Sequence, residues 1–499
     1  MLPRVPFLVR LSIAHVLGRL ETSPKWDLRT TLIVRFIRSL LTSDTPTTIS
    51  HQQKITLRDP GISGPIWVSS VVVSKLQIND NAFPTFLNAI DSRKERAAQY
   101  DVPNSEDMYA EWTGYRAGTT KKTRHEKGIS DAARYQRLIA DTKNDTVVLY
   151  MHGGGLYLMD VAVSFPMIVP GFIAKIVFKS HRPVCSDLAR ISGGRCLNIR
   201  YRLAPRYPFP AALLDCFVAY LFLLCPPPGS LHDPVPAPKI VFAGDSAGGN
   251  LACALLQFLL ELHRSTPAGQ VPKVQYLGRE VEIPLPAGVA CSSAWLDLTR
   301  TMPSIKTNHK YDFLPLPSDS SLHETFPPCA LWPAESRRED LYCDGTLLMH
   351  PFVSPLATTT EDWTNSPPVF LFYGEEMLTD EGKYFARKLS KAGTSVQWEE
   401  FEGMPHCFPM LLKGSKVSKI GMELWGNFVA KVASGEAIET RGTFYQAKHW
   451  TPKKIDVTSL GDLSDDEIWK KMTQEVSVRE GYLKCASEKD GSKTIRAKL

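Results

Sequence analysis

Two glycine-rich turns, each entered from an apolar run, constrain this chain more than any other feature. Thr146-Val147-Val148-Leu149-Tyr150-Met151 leads into His152-Gly153-Gly154-Gly155, and Lys239-Ile240-Val241-Phe242-Ala243 leads into Gly244-Asp245-Ser246-Ala247-Gly248-Gly249-Asn250. Short runs that are apolar on both faces read as strands buried inside a parallel sheet. The second turn is followed at 251–260 by an apolar stretch of helical length. A strand, a sharp turn and a helix around G-x-S-x-G lift a serine hydroxyl above the sheet. Gly244 and Gly248 lack Cβ atoms, so the helix can close on the strand. The positive helix end favours negative charge beside Ser246. The fold class this predicts is α/β, with a mostly parallel, doubly wound sheet.

The first turn supplies what a serine alone lacks. Three successive glycines leave backbone N–H groups uncovered, so Gly153 and Gly154, with Ala247, are expected to form an oxyanion hole. Each such donor contributes about 2.7–4 kcal/mol to transition-state stabilisation. His152 is expected to brace this loop, next to Gly155, rather than transfer protons. A lone G-x-S-x-G is commonly a solvated turn, but the pair of motifs argues against that reading. A serine nucleophile needs a base, and the base an orienting carboxylate. The strand expected at 369–374 is followed by Glu375, Glu376 and Asp380, and the strand expected at 395–401 by Gly403-Met404-Pro405-His406-Cys407-Phe408. His406 is the expected base.

Further stretches complete a pattern: Tyr201-Arg202-Leu203-Ala204-Pro205, Phe209-Pro210-Ala211 with Asp215, and Ser293-Ala294-Trp295-Leu296-Asp297-Leu298-Thr299. With the two turns, these make residues 100–430 resemble the hormone-sensitive-lipase family of α/β-hydrolases, particularly its fungal members, which include steryl acetyl hydrolases. The resemblance implies an α/β-hydrolase fold with a cap from the N-terminus and an insertion after a central strand. It also implies carboxylic-ester hydrolysis through an acyl-enzyme. Glu376 stands where the family carries the catalytic aspartate, with Asp380, which opens the next helix, and Glu375 as lesser candidates. Arg206 replaces a customary glutamate at a position expected on the surface. Residues 161–179 interrupt the pattern, which resumes at Ser180-His181-Arg182-Pro183. This stretch begins at a valine codon and is in frame, as a retained intron would be; the alternative is a hydrophobic lid.

Composition limits the rest. A net charge of +6 over 499 residues gives no reason to expect a nucleic-acid partner. The 10 cysteines form no C-x-x-C pair and read as thiols, and neither a metal nor a cofactor is expected. Apolar stretches at 7–17 and 31–41 are interrupted by Arg10, Arg35 and Arg38. They fall short of the roughly 18 uncharged residues a membrane span requires. A cap or a peripheral membrane contact fits them better. The organisation expected is N-terminal cap helices at 1–100, a catalytic domain at 101–434 with a cap insertion at 300–351, and a polar, solvated tail at 435–499. The tail holds one helix opened by the capping box Ser464-x-x-Glu467. The substrate expected is a small hydrophobic ester, and the oligomeric state is left open. Two other readings stand beside this one: a binding protein on the same scaffold, and an enzyme disabled by the 161–179 stretch.

Overall fold

The computed structural model describes residues 5–42, 47–59, 61–94, 98–120, 123–124, 126, 128–162, 165–168, 175–178, 181–317, 326–333, 338 and 340–479. The strands are β1 (Ile66–Val73), β2 (Met108–Tyr115), β3 (Val147–Met151), β4 (Phe165–Ile168), β5 (Lys175–Phe178), β6 (Arg195–Ile199), β7 (Ile240–Asp245), β8 (Lys273–Tyr276), β9 (Arg279–Glu282), β10 (Gly288–Ser292), β11 (Val369–Gly374), β12 (Val396–Phe401), β13 (Arg441–Gln446) and β14 (Thr451–Ile455). Ten of them form one sheet in the order β1-β2-β6-β3-β7-β10-β11-β12-β13-β14. The run from β6 to β13 is parallel, and β1, β2 and β14 are antiparallel at the margins. Every residue of β3, β7, β10 and β11 is buried, as central strands covered on both faces require.

Among the described residues, the α-helices before β8 are α1 (Val5–Val16), α2 (Leu28–Leu41), α3 (Ile49–Thr56), α4 (Ala82–Asp91), α5 (Asp131–Ala140), α6 (Arg182–Ser192), α7 (Ala211–Leu224) and α8 (Ala247–Arg264). The apolar α7 and α8 pack on one face of the sheet, in a core that includes Phe217, Phe258, Trp363 and Trp398. On the other face α6 packs against the helix Lys416–Ser434, around Leu188, Trp425 and Phe428. Pro183 in the first turn of α6 and Gly193 at φ 77° after its last fix that helix's ends.

Two expectations need revision. The stretch after 434 is not a solvated appendage. It adds β13 beside β12, folds back as β14, and then forms a helix over 465–479 whose Ile468 and Met472 enter the main core. The Ser464–Glu467 capping box is present: Ser464 Oγ accepts from the Glu467 N–H at 3.2 Å, and the Glu467 carboxylate accepts from the Ser464 N–H at 2.8 Å. Nor is 1–100 made only of cap helices: β1 joins the ten-stranded sheet, while the N-terminal helices pack on the rest. Leu8, Trp26, Val34 and Phe36 share one apolar cluster with Tyr150, Phe372 and Phe408.

Within 161–179, β4 and β5 pair as an antiparallel hairpin, and Val161 and Ala162 are buried. The side chains of 163–180 lie outside the described residues, as do parts of the 300–351 insertion. Among the described residues no helix is long and apolar enough to cross a membrane.

Candidate active site

The C-terminal ends of the parallel strands gather the expected residues. Ser246 follows β7 and immediately precedes α8, at φ 53° and ψ −121°. This conformation is costly for a non-glycine residue, about 1–3 kcal/mol, and persists only where surrounding structure enforces it. Here the Ser246 N–H donates to the Ser292 carbonyl at 3.0 Å, and its own carbonyl accepts from the N–H groups of Trp295 at 3.0 Å and Asn250 at 3.1 Å. Gly248 is required by space, since a Cβ there would lie 2.0 Å from the Met151 carbonyl oxygen.

Opposite this turn, His406 Nε2 lies 2.9 Å from Ser246 Oγ, and His406 Nδ1 lies 2.7 Å from Glu376 Oε1. Glu376 is fully buried on the loop after β11, and His406 is 3% exposed on the loop after β12. Burial works against a charged His406, but Cys407 and the Glu376 carboxylate raise it well above its usual value. Burial raises Glu376, with His406 pulling the other way. The competing carboxylates go elsewhere. Asp380 accepts from the Ser304 N–H at 2.8 Å, and Glu375 pairs with Lys25 at 2.6 Å.

Gly153, Gly154 and Gly155 follow β3. Gly154 has φ 123°, and a Cβ there would lie 2.1 Å from the Leu158 carbonyl oxygen; a Cβ at Gly153 would strike the Asp245 carboxylate. Ala247 is the first residue of α8. His152 stacks on Tyr201 with ring centroids 4.2 Å apart, and its Nδ1 lies 2.7 Å from the Gly153 carbonyl. Burial, then neighbouring His181, lowers its pKa to about 3, so it is neutral. Asp245 sits beneath the loop, accepting from the Tyr150 hydroxyl at 2.6 Å with His181 Nε2 at 3.4 Å. Arg206 lies over the Tyr207 ring at 5.3 Å.

Sequence reasoning missed several supports. Ser293, at φ 49°, donates its hydroxyl to Glu376 Oε2 at 2.7 Å and accepts the Cys407 N–H at 3.1 Å, joining the loops of Glu376 and His406. Asp312 accepts the Met377 N–H at 2.9 Å, and the neighbouring Phe313 ring lies 5.9 Å from His406. From the N-terminal region, Trp26 Nε1 donates to the Gly403 carbonyl, and Lys25 bridges Glu375 and Glu402. Gln53 of α3 donates to the carbonyls of Tyr157 at 2.8 Å and Ala204 at 2.9 Å. Of these residues only Ser293 falls in a stretch that the sequence marks out, Ser293–Thr299, and nothing in that stretch reveals its role between Glu376 and Cys407. Among the described residues no group of three or more His, Cys, Asp or Glu side chains is placed to hold a metal ion.

Fold and loop order together define an α/β-hydrolase. The α/β-hydrolase-fold family matches residues 170–410. An acetyl-hydrolase of Streptomyces hygroscopicus is 31% identical over 301 residues, covering 58% of this chain and 77% of that protein. An esterase of Acinetobacter venetianus is 25% identical over 278 residues, covering 56% of this chain and 72% of that one. The hormone-sensitive lipase of Bos taurus is 37% identical over 111 residues, which are 22% of this chain and 12% of the lipase. The chain belongs to the hormone-sensitive-lipase family of α/β-hydrolases, and its enzyme class is carboxylic-ester hydrolase.

Proposed function

We propose that Ser246 is the nucleophile, His406 the general base and Glu376 its orienting acid, in hydrolysis of small acyl esters, acetyl-type first, of hydrophobic alcohols. The observation that carries this reading is the unbroken hydrogen-bonded line from Ser246 Oγ through both ring nitrogens of His406 to Glu376. In the reaction His406 Nε2 takes the Ser246 proton as the hydroxyl oxygen bonds the ester carbonyl carbon. The N–H groups of Gly153, Gly154 and Ala247 receive the developing oxyanion. Its collapse breaks the bond to the alkoxy oxygen, which leaves with the proton from His406, and the acyl group stays on Ser246. Water, deprotonated by His406, then releases the acid and restores the serine. Glu376 stabilises the imidazolium in both halves without itself being protonated.

The acetyl-type preference is supported by likeness to the Streptomyces acetyl-hydrolase. The hydrophobic-alcohol side is supported by Phe313 beside His406 and by the apolar N-terminal helices tied to the same loops. Sterol acetates are the leading large-alcohol candidates, by the resemblance above. A panel of p-nitrophenyl esters of increasing acyl length, with acetates of increasingly large alcohols, tests the proposal on purified protein. The expected result is highest kcat/KM for acetyl and short acyl groups, with tolerance of bulky apolar alcohols. Preference for long acyl chains on small alcohols would overturn it.

A further inference from the structure

The outer surface of α1 conflicts with what a water-facing helix carries. Leu8 and Leu11 turn inward and are buried, at 7% and 8% exposure. The opposite stripe is also apolar: Val9, Ile13 and Val16, spaced i, i+4 and i+7, are 52%, 55% and 74% exposed, and Leu17 continues it at 57%. A surface helix of a soluble domain is polar on that side, whereas one apolar all round has a nonpolar partner on each face. Residues 5–20 contain no acidic side chain. The charges that flank the stripe are Arg10 and Arg19, both exposed and without an ion pair among the described residues. Glu21, the nearest acid in sequence, is taken by Lys310.

We propose that α1 docks on an anionic lipid surface, its outer stripe entering the headgroup boundary while Arg10 and Arg19 meet lipid phosphates and carboxylates. Apolar area with flanking cations of one sign is the chemistry of interfacial helices. A second copy of the chain is a poorer occupant, because a two-fold contact through this stripe would bring the same arginines toward each other. Docking also has a consequence for the active site. α1 is held to α2 by the contact of 2.9 Å between Thr31 Oγ1 and His15 Nδ1, and Trp26, just before α2, donates to Gly403 on the loop that carries His406. A membrane bound to α1 therefore lies on the same cap that adjoins the catalytic loops. The stripe is separate from Ser246, so the inference stands or falls apart from the proposed reaction.

The test is co-sedimentation with phosphatidylcholine vesicles, with and without about 30% phosphatidylserine. The whole chain is expected to bind the serine-containing vesicles. Ile13→Asp and Val16→Asp should each lower the partition coefficient at least about tenfold. The double variant Arg10→Glu with Arg19→Glu changes only exposed side chains, so it keeps the fold, and should lose the preference for anionic vesicles. Unchanged hydrolysis of soluble p-nitrophenyl acetate by Ile13→Asp shows that its loss of binding is local. Absence of wild-type binding, equal binding by Ile13→Asp, or a wild-type dimer that Ile13→Asp dissociates in light scattering would each overturn the proposal.

Discussion

Replacing Ser293 by alanine removes a hydroxyl that touches neither substrate nor nucleophile, yet both stability and turnover should fall. The hydroxyl donates to the Glu376 carboxylate at 2.7 Å and accepts the Cys407 N–H at 3.1 Å, in a fully buried position. A hydrogen bond to a charged group contributes about 1.5–3 kcal/mol, and an orphaned buried N–H costs about 1–3 kcal/mol more. The Gly374 N–H still donates to the same Glu376 oxygen at 3.1 Å, which limits the first loss. We therefore expect Ser293→Ala to lower the unfolding free energy by about 3 kcal/mol, measured in urea. Because the hydroxyl joins the loops of acid and base, kcat on p-nitrophenyl acetate should fall about 10- to 100-fold while KM changes little. Ser293→Gly loses the same hydrogen bonds but relieves the backbone at φ 49°, so it should recover about 1 kcal/mol of stability without recovering kcat. A stability loss below about 1 kcal/mol with unchanged kcat would refute this reasoning.

Three further outcomes follow from the same geometry. The proposed base, His406, works only when neutral, and its pKa is held above the ordinary 6.5, so kcat/KM should rise with pH through a midpoint above that value. Glu376→Gln removes the charge that raises it, so the midpoint should move to lower pH and kcat should fall by about 10³–10⁴; an unmoved midpoint in a pH–rate profile contradicts the pairing. Gly154→Ala forces a Cβ to 2.1 Å from the Leu158 carbonyl at φ 123°, and should lower kcat by about 10²–10³ with the circular dichroism unchanged. Truncation after residue 440 strips Tyr445 from its 4.4 Å stack on Phe401 and takes Ile468 and Met472 from the core. At about 1.5–3 kcal/mol per side chain this approaches the whole stability of a typical domain, so the truncated chain should be insoluble or unfolded at room temperature, read from soluble yield and thermal melting.

What could be read from the sequence was what local sterics dictate. A turn that packs Gly248 against the Met151 carbonyl tolerates almost no other residue, so the elbow and the glycine loop are written in contiguous letters. Glu376 and His406 were legible because the first follows a wholly apolar strand, Val369–Gly374, and the second a strand of alternating pattern, Val396–Phe401, each of which fixes where the chain emerges from the sheet. Trp26 and Lys25 were not, because their partners Gly403 and Glu375 lie some 350 residues or more away and no spacing rule connects them. The tail misled for a different reason. In β13 both end residues, Arg441 and Gln446, are exposed, and β14 at the sheet edge is almost wholly exposed, so their polar letters resemble a solvated segment. Only the sheet edge offered by β12 explains why they are strands.

The central claim is that Ser246 forms a covalent acyl intermediate with His406 as its base. Intact-mass and peptide mass spectrometry after brief exposure to a fluorophosphonate test it most directly. One adduct per chain on the peptide carrying Ser246, absent in Ser246→Ala and strongly slowed in His406→Ala, is the predicted result. Ester hydrolysis persisting in Ser246→Ala, or an adduct on another residue, would contradict it.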